Sequence, residues 1–162
     1  MDIKKRLHFN YWLMKASERL LEEAIPEATG ALQDYYKKHL EEERRHEEWL
    51  AEDLKRMGVP LVLDLNAASV AGAQYYLIKH VHPALLLGYM WILEAAPKPL
   101  ETVEALEQEH GPLKCLRYHA EHDPDHVKDL ADQINALPED LIAQVISNAT
   151  WVANSINSFL GE

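Results

Sequence analysis

Apolar residues recur at three- and four-residue steps along nearly the whole chain, which is the spacing that one buried face of an α-helix requires. Glycines are few, 6 in 162 residues, and no internal repeat or low-complexity run interrupts the pattern. The sequence therefore predicts an all-α fold. We expect one domain over residues 1–162, built as a helical bundle of about six to seven helices.

Proline and glycine residues mark where these helices should begin and end. Gly58 and Pro60 close a long second helix, and Pro124 is expected to interrupt a later one. The predicted helices cover residues 5–23, 31–57, 66 or 67 to 79, 83 to just before 97, 99–109, 112–135, and a last stretch from 138.

Charge and composition limit the partners that such a chain can have. A formal net charge of −11 argues against nucleic acid and against anionic membrane surfaces. Cys115 is the single cysteine, so no internal disulfide is expected. No apolar signal core follows the basic first residues, and the uncharged stretch 141–161 holds too many amides and hydroxyls to span a bilayer. We expect a cytoplasmic protein.

The predicted second helix carries ionisable residues within its inward stripe. That stripe consists of Leu32, Tyr36, His39, Glu43, His46, Leu50, Leu54 and Met57. A buried carboxylate needs a partner, and a metal ion can supply one. Glu43 and His46 also have the i, i+3 spacing with which helical dimetal bundles chelate an ion. Alternatively, the glutamates of this segment lie on a solvent-exposed face of the helix and bind no metal.

A second candidate ligand stands alone in the apolar segment 81–97. Glu94 is the only formally charged residue of that segment. It lies near a helix C-terminus, where the helix dipole disfavours an anion. Either Glu94 reaches water or a lysine such as Lys98, or it binds a cation inside the protein.

The sharpest motif is His119, Asp123 and His126, at positions i, i+4 and i+7 of one helix face. Two imidazoles and a carboxylate on one face are ligands suited to a transition metal. The segment Asp123-Pro124-Asp125 also fits a helix start, with surface histidines around it. If the motif binds metal, Pro124 removes a backbone hydrogen bond and makes the helix less rigid at the point where Asp123 would bind the metal.

Taken together, the candidates are three imidazoles and three carboxylates from three predicted helices, with no thiolate among them. Nitrogen and oxygen ligands favour iron or manganese, and zinc could substitute. Six ligands suit two metals bridged by a carboxylate, or one metal with open positions. The candidate metal ligands are Glu43, His46, Glu94, His119, Asp123 and His126.

Several other residues are weaker candidates. His39 could be a further ligand or a neighbour of the ligands, and the alternative is a core or rim histidine with ordinary hydrogen-bond partners. His122 falls off the metal-binding face and could be a neighbour of the ligands or a surface residue. Asp53 is expected to be solvated, and Gly88 should allow two helices to approach closely. Four aromatic residues could line a pocket, although aromatics at helical spacing are more often plain core: Tyr36, Tyr76, Tyr89 and Trp91.

The segments 41–54 and 75–94 and the His119-x3-Asp123-x2-His126 motif together resemble the heme-oxygenase-like diiron oxidase and oxygenase family, over about residues 35–137. The family is related in fold to the thiaminase-like (TENA) and CADD-like proteins. The resemblance implies a seven-helix heme-oxygenase-like bundle that binds two irons and no heme. Its ligands would be the six residues named above. In another version of the family's first motif, which corresponds here to Glu43 and His46, the glutamate lies seven positions before the histidine. The residue at that position in this chain is His39.

The resemblance also implies a reaction class. Such proteins activate O2 to oxidise small, partly apolar molecules, by N-oxygenation, oxidative C–C cleavage or decarboxylation. An external reductant would be a further partner, and the fold is compatible with a homodimer.

Two alternatives remain open from the sequence. One is a metal-free, thiaminase-like hydrolase or ligand-binding protein, in which Cys115 would be the only candidate nucleophile. The other is a metal-binding helical bundle without catalysis. A ferritin-like bundle would need two Glu-x2-His motifs, and only Glu43-x2-His46 fits well.

Overall fold

The structure is a computed structural model that describes residues 2–95 and 98–161, except for the side chains of residues 123–125. Within these residues it contains α-helices and no strand, which confirms the all-α prediction. The described part has eight α-helices, so the predicted count of six to seven was too low. They are α1 (Ile3–Ala24), α2 (Gly30–Glu43), α3 (His46–Arg56), α4 (Leu65–His80), α5 (Leu86–Glu94), α6 (Leu100–His110), α7 (Lys114–Asn135) and α8 (Glu139–Leu160).

The additional helix arises because the predicted helix 31–57 is two helices. Arg44 leaves the helical conformation with a ψ of 128°, and Arg45 adopts the left-handed region with φ 70° and ψ 9°. Arg45 is the only non-glycine residue with positive φ in the described part of the chain. The prediction of one continuous helix is therefore wrong. Glu43 ends α2 and His46 begins α3, so the two candidate ligands belong to successive helices.

The predicted interruption at Pro124 is also wrong, because α7 runs without a break from Lys114 to Asn135. A proline inside a helix removes one backbone hydrogen bond, which the remaining turns and tertiary packing can offset. The packing comes from α2, α3, α5, α6 and α8, all of which contact α7.

Asp53 supports the first turn of α7 from a different helix. Its Oδ2 accepts a hydrogen bond from the Cys115 backbone N–H at 3.2 Å, and its Oδ1 pairs with the Arg56 guanidinium at 3.0 Å. Asp53 is only 1% exposed, so the expectation that water solvates it is wrong. A carboxylate near a helix N-terminus is favourable because the first backbone N–H groups have no partner within their own helix.

A buried amide pair joins α4, α8 and the short 3-10 turn Pro83–Leu85. Asn148 donates from Nδ2 to Gln74 Oε1 and to the Leu85 carbonyl oxygen, each at 2.8 Å. Gln74 donates in return from Nε2 to Asn148 Oδ1 at 3.3 Å. Both side chains are buried, and the pair satisfies polar groups that would otherwise be costly in the core.

The uncharged segment near the C-terminus forms the amphipathic helix α8. Val145, Val152 and Ile156 are buried, whereas Ile146 and Trp151 are exposed. Among the described residues, no helix combines the length and the apolar character that a bilayer crossing requires.

Gly88 allows α5 to lie directly against α8, as the sequence predicted. A Cβ atom at this position would stand 2.5 Å from the Val145 carbonyl oxygen and 2.9 Å from the Ala149 backbone nitrogen. Only hydrogen fits there. The contact sets the position of α5, whose last residue is the candidate ligand Glu94.

We predict that Gly88→Ala lowers the free energy of unfolding by about 1–3 kcal/mol, because the new methyl group must displace the α8 backbone. Gly72→Ala is the matched control: Gly72 is an exposed helical glycine with no atom within 4 Å of its would-be Cβ. That change should raise stability by about 0.5–1 kcal/mol through helix propensity. Urea denaturation measures both, and equal effects of the two changes would contradict the close approach.

Candidate metal centre

Imidazole and carboxylate groups from four helices converge inside the bundle. They form two sets of three, and within each set one ligand atom per residue lies within 4.8 Å of the others. The first set is His39, Glu94 and His126, and the second set is Glu43, His46 and His119. Each combines two nitrogen donors with one carboxylate.

The first set joins α2, α5 and α7. His39 Nε2 lies 3.0 Å from Glu94 Oε1, and His126 Nδ1 lies 3.7 Å from Glu94 Oε2. His39 and Glu94 are buried, with 3% and 7% of their surface exposed. Glu94 is therefore largely shielded from water, and among the contacts that the structure describes its carboxylate pairs with two imidazoles and not with Lys98.

The second set forms around the break between α2 and α3. His46 Nδ1 lies 3.1 Å from Glu43 Oε2, and the His46 and His119 rings are 5.3 Å apart between centroids. His46 is buried, and the Glu43 side chain is 15% exposed. The break at Arg45 thus directs Glu43 and His46 to one point even though no single helix carries both.

One contact links the two sets. Glu43 Oε1 of the second set lies 3.7 Å from His126 Nδ1 of the first. Glu43 Oε1, Glu94 Oε2 and His126 Nδ1 are buried atoms with no hydrogen-bond partner among the residues that the structure describes. Buried polar atoms without partners are rare because they lose hydration without compensation. A bound cation would compensate all three atoms.

Helix dipoles strengthen this argument for a cation. Glu43 is the last residue of α2 and Glu94 is the last residue of α5. The C-terminus of a helix carries partial negative charge, which disfavours a carboxylate. A buried carboxylate, Glu94, and a half-buried one, Glu43, at two helix C-termini therefore concentrate negative potential at one place.

The protonation of the neighbouring groups follows the same electrostatics. Burial acts to raise the pKa of the Glu43 carboxyl, but its hydrogen bond with His46 and the nearby imidazoles outweigh burial and lower this pKa to about 2. Burial acts to lower the pKa of His39, but the hydrogen bond with Glu94 and the surrounding carboxylates outweigh it and raise this pKa. The Glu43 carboxylate is thus held in the ionised form that binds metal.

The donor set fits a pair of first-row transition metals. Each set offers three nitrogen and oxygen ligands, so that a metal would retain open coordination positions. The contact between Glu43 and His126 places the two sets side by side, as a dinuclear centre needs.

Five of the six predicted ligands come together in this way, and His39, predicted as an additional ligand or a neighbour of the ligands, completes the first set. The side chain of Asp123 lies outside the described residues. The five are Glu43, His46, Glu94, His119 and His126.

His122 lies apart from both sets. It is exposed, its ring stacks on Tyr118 with centroids 4.1 Å apart, and its Nδ1 lies 2.8 Å from the Tyr118 carbonyl oxygen. The preceding turn of α7 carries His119, which belongs to the second set, while His122 remains at the surface.

A cavity of about 260 Å³ adjoins the two sets of ligands. Apolar side chains form much of its wall, among them Leu7, Met14, Leu21, Leu50, Met90 and Ile156. Several candidate ligands also face this space, and we define it as the α1 cavity because α1 forms one whole side of it.

Of the four aromatic residues considered for a pocket, only Tyr89 lines the α1 cavity. Its hydroxyl donates to the Leu13 carbonyl oxygen at 2.9 Å. Tyr36 is fully buried and donates to the Pro83 carbonyl oxygen at 2.8 Å, Tyr76 is 60% exposed, and Trp91 packs against the core. Helical spacing alone does not distinguish these environments.

The aromatic residues that enclose His46 were not predicted from the sequence. The Trp49 ring stacks on the His46 ring at a centroid distance of 4.5 Å, and the Tyr118 ring meets it edge-on at 4.7 Å. Trp49 is three residues after His46 on α3, so the spacing was visible in the sequence. Tyr118 is not predictable in that way, since it comes from α7.

Glu18, which supports the break between α2 and α3, was not predicted from the sequence either. Its Oε1 accepts a hydrogen bond from the Arg45 backbone N–H at 2.7 Å. Because a left-handed non-glycine residue is strained, this contact from α1 helps to hold the conformation that brings Glu43 and His46 together.

A scan against protein-family models and searches of curated proteins and of solved structures found no match to this chain. The resemblance therefore rests on the motifs in the sequence. The function has to be argued from the chemistry of the two ligand sets and the cavity beside them.

We predict that Glu18→Ala weakens metal binding by about 10-fold, because loss of a group that orients metal ligands typically costs that much. Isothermal titration with Co²⁺ measures the affinity, and circular dichroism verifies that the helices persist. Arg45→Gly in the Glu18→Ala background should recover most of the loss, because glycine adopts positive φ without strain.

Glu22→Ala is the control for this experiment, since Glu22 lies on α1 and pairs with the exposed Arg19. It should leave the affinity unchanged. An unchanged affinity in Glu18→Ala, or a second substitution that recovers nothing, would show that the break does not depend on Glu18.

Proposed function

We propose that this chain is a non-heme diiron oxidase or oxygenase with the heme-oxygenase-like bundle that its motifs resemble. The observation that carries the proposal is the pair of adjacent ligand sets, linked by the contact between Glu43 and His126 and open to a largely apolar cavity. A catalytic metal site needs open coordination positions beside a cavity that can hold an organic molecule. A metal site that serves storage or structure has less need of either.

Iron is the proposed metal, two ions per chain, with manganese or zinc as substitutes. The first set would hold one ion through His39, Glu94 and His126, and the second set the other through Glu43, His46 and His119. Imidazole and carboxylate ligands with open positions are typical of non-heme iron centres that use O2. No heme is part of the proposal.

Each part of the site has a stated role in this proposal. When bound, the reduced iron pair supplies electrons to O2, and an external reductant restores them. The imidazoles would hold the metals together with the carboxylates, and Glu43 contacts an imidazole of each set, His46 and His126. The buried walls of the α1 cavity exclude water from a small, partly apolar substrate, which would undergo N-oxygenation, oxidative C–C cleavage or decarboxylation.

A cysteine hydrolase of the thiaminase-like kind has weaker support. Cys115 does line the α1 cavity, but it is 2% exposed and burial raises the pKa of its thiol. A nucleophilic cysteine needs a thiolate and therefore a lowered pKa. In the proposed oxidase Cys115 packs in the core, so Cys115→Ser should retain O2 consumption.

The remaining parts of the proposal follow from composition and resemblance. We propose a cytoplasmic protein that acts on a small molecule, without nucleic acid or membrane partners, and a homodimer is compatible with it. A metal-binding bundle without catalysis would share the ligand sets, and only reaction with O2 separates it from an oxidase.

The test is anaerobic titration with Fe(II), followed by O2. We expect uptake of about two irons per chain and a change in visible absorption when O2 is added. His119→Ala and His126→Ala should each lose at least one iron, because each removes a ligand from a different set. Iron analysis and stopped-flow absorption provide the measurements.

His122→Ala is the matched control, since His122 lies on the same helix but belongs to neither set. It should bind iron as the unaltered chain does. Absence of iron uptake, with no effect of the His119 and His126 substitutions, would overturn the proposal. Iron uptake without any reaction with O2 would favour the non-catalytic bundle.

A further inference from the structure

Three successive glutamates at the end of α2 lie in three different environments. The Glu41 side chain is 70% exposed and pairs with Arg44 at 3.0 Å. Glu43 belongs to the second set, and its side chain is 15% exposed. The Glu42 side chain, between them, is 36% exposed and lies beside the first set. Glu42 is therefore neither a member of the two sets nor a fully exposed surface residue.

His126 presents its two ring nitrogens to different carboxylates. Nδ1 lies 3.7 Å from both Glu43 Oε1 and Glu94 Oε2, on the side of the ligand sets. Nε2 lies 3.8 Å from Glu42 Oε2, which is an electrostatic contact and too long for a hydrogen bond. A neutral imidazole carries its proton on one nitrogen and can offer the other to a metal. Nδ1 is thus placed to bind a metal, and Nε2 is placed to carry the proton toward Glu42.

Lys38 holds the Glu42 carboxylate in this position. Its Nζ lies 3.6 Å from Glu42 Oε1, across one turn of α2. The two oxygens of Glu42 therefore face different partners, the lysine and the imidazole. Lys38 Nζ also donates to Asp129 Oδ2 on α7 at 2.7 Å. The hydrogen bond with Asp129 and the charge of Glu42 raise the pKa of Lys38, so the ammonium stays charged.

The same four residues fix the register between α2 and α7. Lys38 and Glu42 are about one turn apart on α2, and His126 and Asp129 are about one turn apart on α7. Lys38 pairs with Asp129, and Glu42 faces the His126 ring. A displacement of α7 by one turn would break both contacts. Partly exposed pairs contribute little to stability, so the main consequence of these contacts is the placement of the His126 ring.

We infer that Glu42 is a positioning residue for His126. Its carboxylate keeps the proton of the neutral ring on Nε2, which leaves the Nδ1 lone pair for a metal in the first set. A carboxylate that faces the second ring nitrogen of a metal-binding histidine fixes the ring orientation and increases its basicity. The inference rests on the metal binding of the proposed function and adds a residue outside both ligand sets.

The effect of Glu42 should be confined to the first set. Among the contacts that the structure describes, His39 and His46 pair with carboxylates that belong to the sets themselves, Glu94 and Glu43. Of these three histidines, His126 is the one with a further carboxylate at its second nitrogen. Glu42 could instead serve only to pair with Lys38, as Glu41 pairs with Arg44. In that case removal of either glutamate would have the same effect on metal binding.

The experiment is a two-site titration of the full chain with Co²⁺. We expect Glu42→Ala to weaken one of the two sites about 10-fold, as loss of a group that orients a ligand typically does, and to leave the other unchanged. Glu42→Gln keeps the shape and an acceptor oxygen but not the charge, so it should weaken the same site less. Circular dichroism verifies that the helices persist, and Glu42→Gln decides the question if Glu42→Ala does not fold.

The chain offers a matched control for each variant. Glu41→Ala removes the same charge one position earlier and should leave both affinities unchanged. Lys38→Met removes the cation that holds Glu42 and should weaken the same site as Glu42→Ala, to a smaller extent. Lys37→Met is its control, because Lys37 pairs with Asp34 and contacts neither set. Its affinities should equal those of the unaltered chain.

Nuclear magnetic resonance of the histidine rings with bound Zn²⁺ supplies a signal that a merely structural role would not change. In the unaltered chain we expect His126 to bind Zn²⁺ through Nδ1 and to carry its proton on Nε2. In Glu42→Ala that proton should exchange faster with water, because the carboxylate that faces it is gone. Glu41→Ala should leave the exchange rate unchanged.

The outcomes separate this inference from the proposed function. Equal effects of Glu42→Ala and Glu41→Ala, or equal weakening of both metal sites by Glu42→Ala, would overturn the inference alone. Binding of Zn²⁺ to Nε2 of His126 would also overturn it. If the unaltered chain binds no metal, the proposed function and the inference fail together.

Discussion

The contact of two carboxylates, the buried Glu94 and the half-buried Glu43, with imidazoles from other helices is the interaction on which the rest of the structure depends. Glu43 and Glu94 each end a helix, and His126 from α7 approaches both at 3.7 Å. Carboxylates in such a place are tolerable only if positive charge accompanies them, whether on imidazole or on a metal. The same contacts that make metal binding favourable therefore also connect α2, α5 and α7. Folding and metal binding should be coupled, because both require these groups to be brought together.

The left-handed Arg45 shows where the chain concentrates its backbone strain. A continuous helix would be the easier local conformation for a segment rich in glutamate and arginine. The structure instead breaks the helix between two candidate ligands and supports the break with Glu18, from α1. Strained residues persist only where surrounding contacts determine them, and they concentrate at functional sites. The location of this break beside Glu43 and His46 agrees with a functional role for both residues.

Features set by local periodicity were predictable from the sequence, and features set by distant contacts were not. The apolar spacing indicated an all-α fold, Gly88 a close helix approach, and Glu94 a lone charge within an apolar helix. The break at Arg45 was missed because it depends on Glu18, 27 positions away in the sequence. Asp53 was missed for the same reason, since its partner Cys115 is 62 positions away. Tyr36 belongs to the predicted inward stripe and is buried, whereas the exposure of Tyr76 depends on which neighbouring helices cover α4.

Helix α1 contributes both to the ligand geometry and to the cavity beside it. Through Glu18 it supports the turn between two candidate ligands, and Leu7, Met14 and Leu21 form part of the apolar wall of the α1 cavity. A shift of α1 would therefore change the positions of Glu43 and His46 and the shape of the cavity together, because one helix makes both sets of contacts.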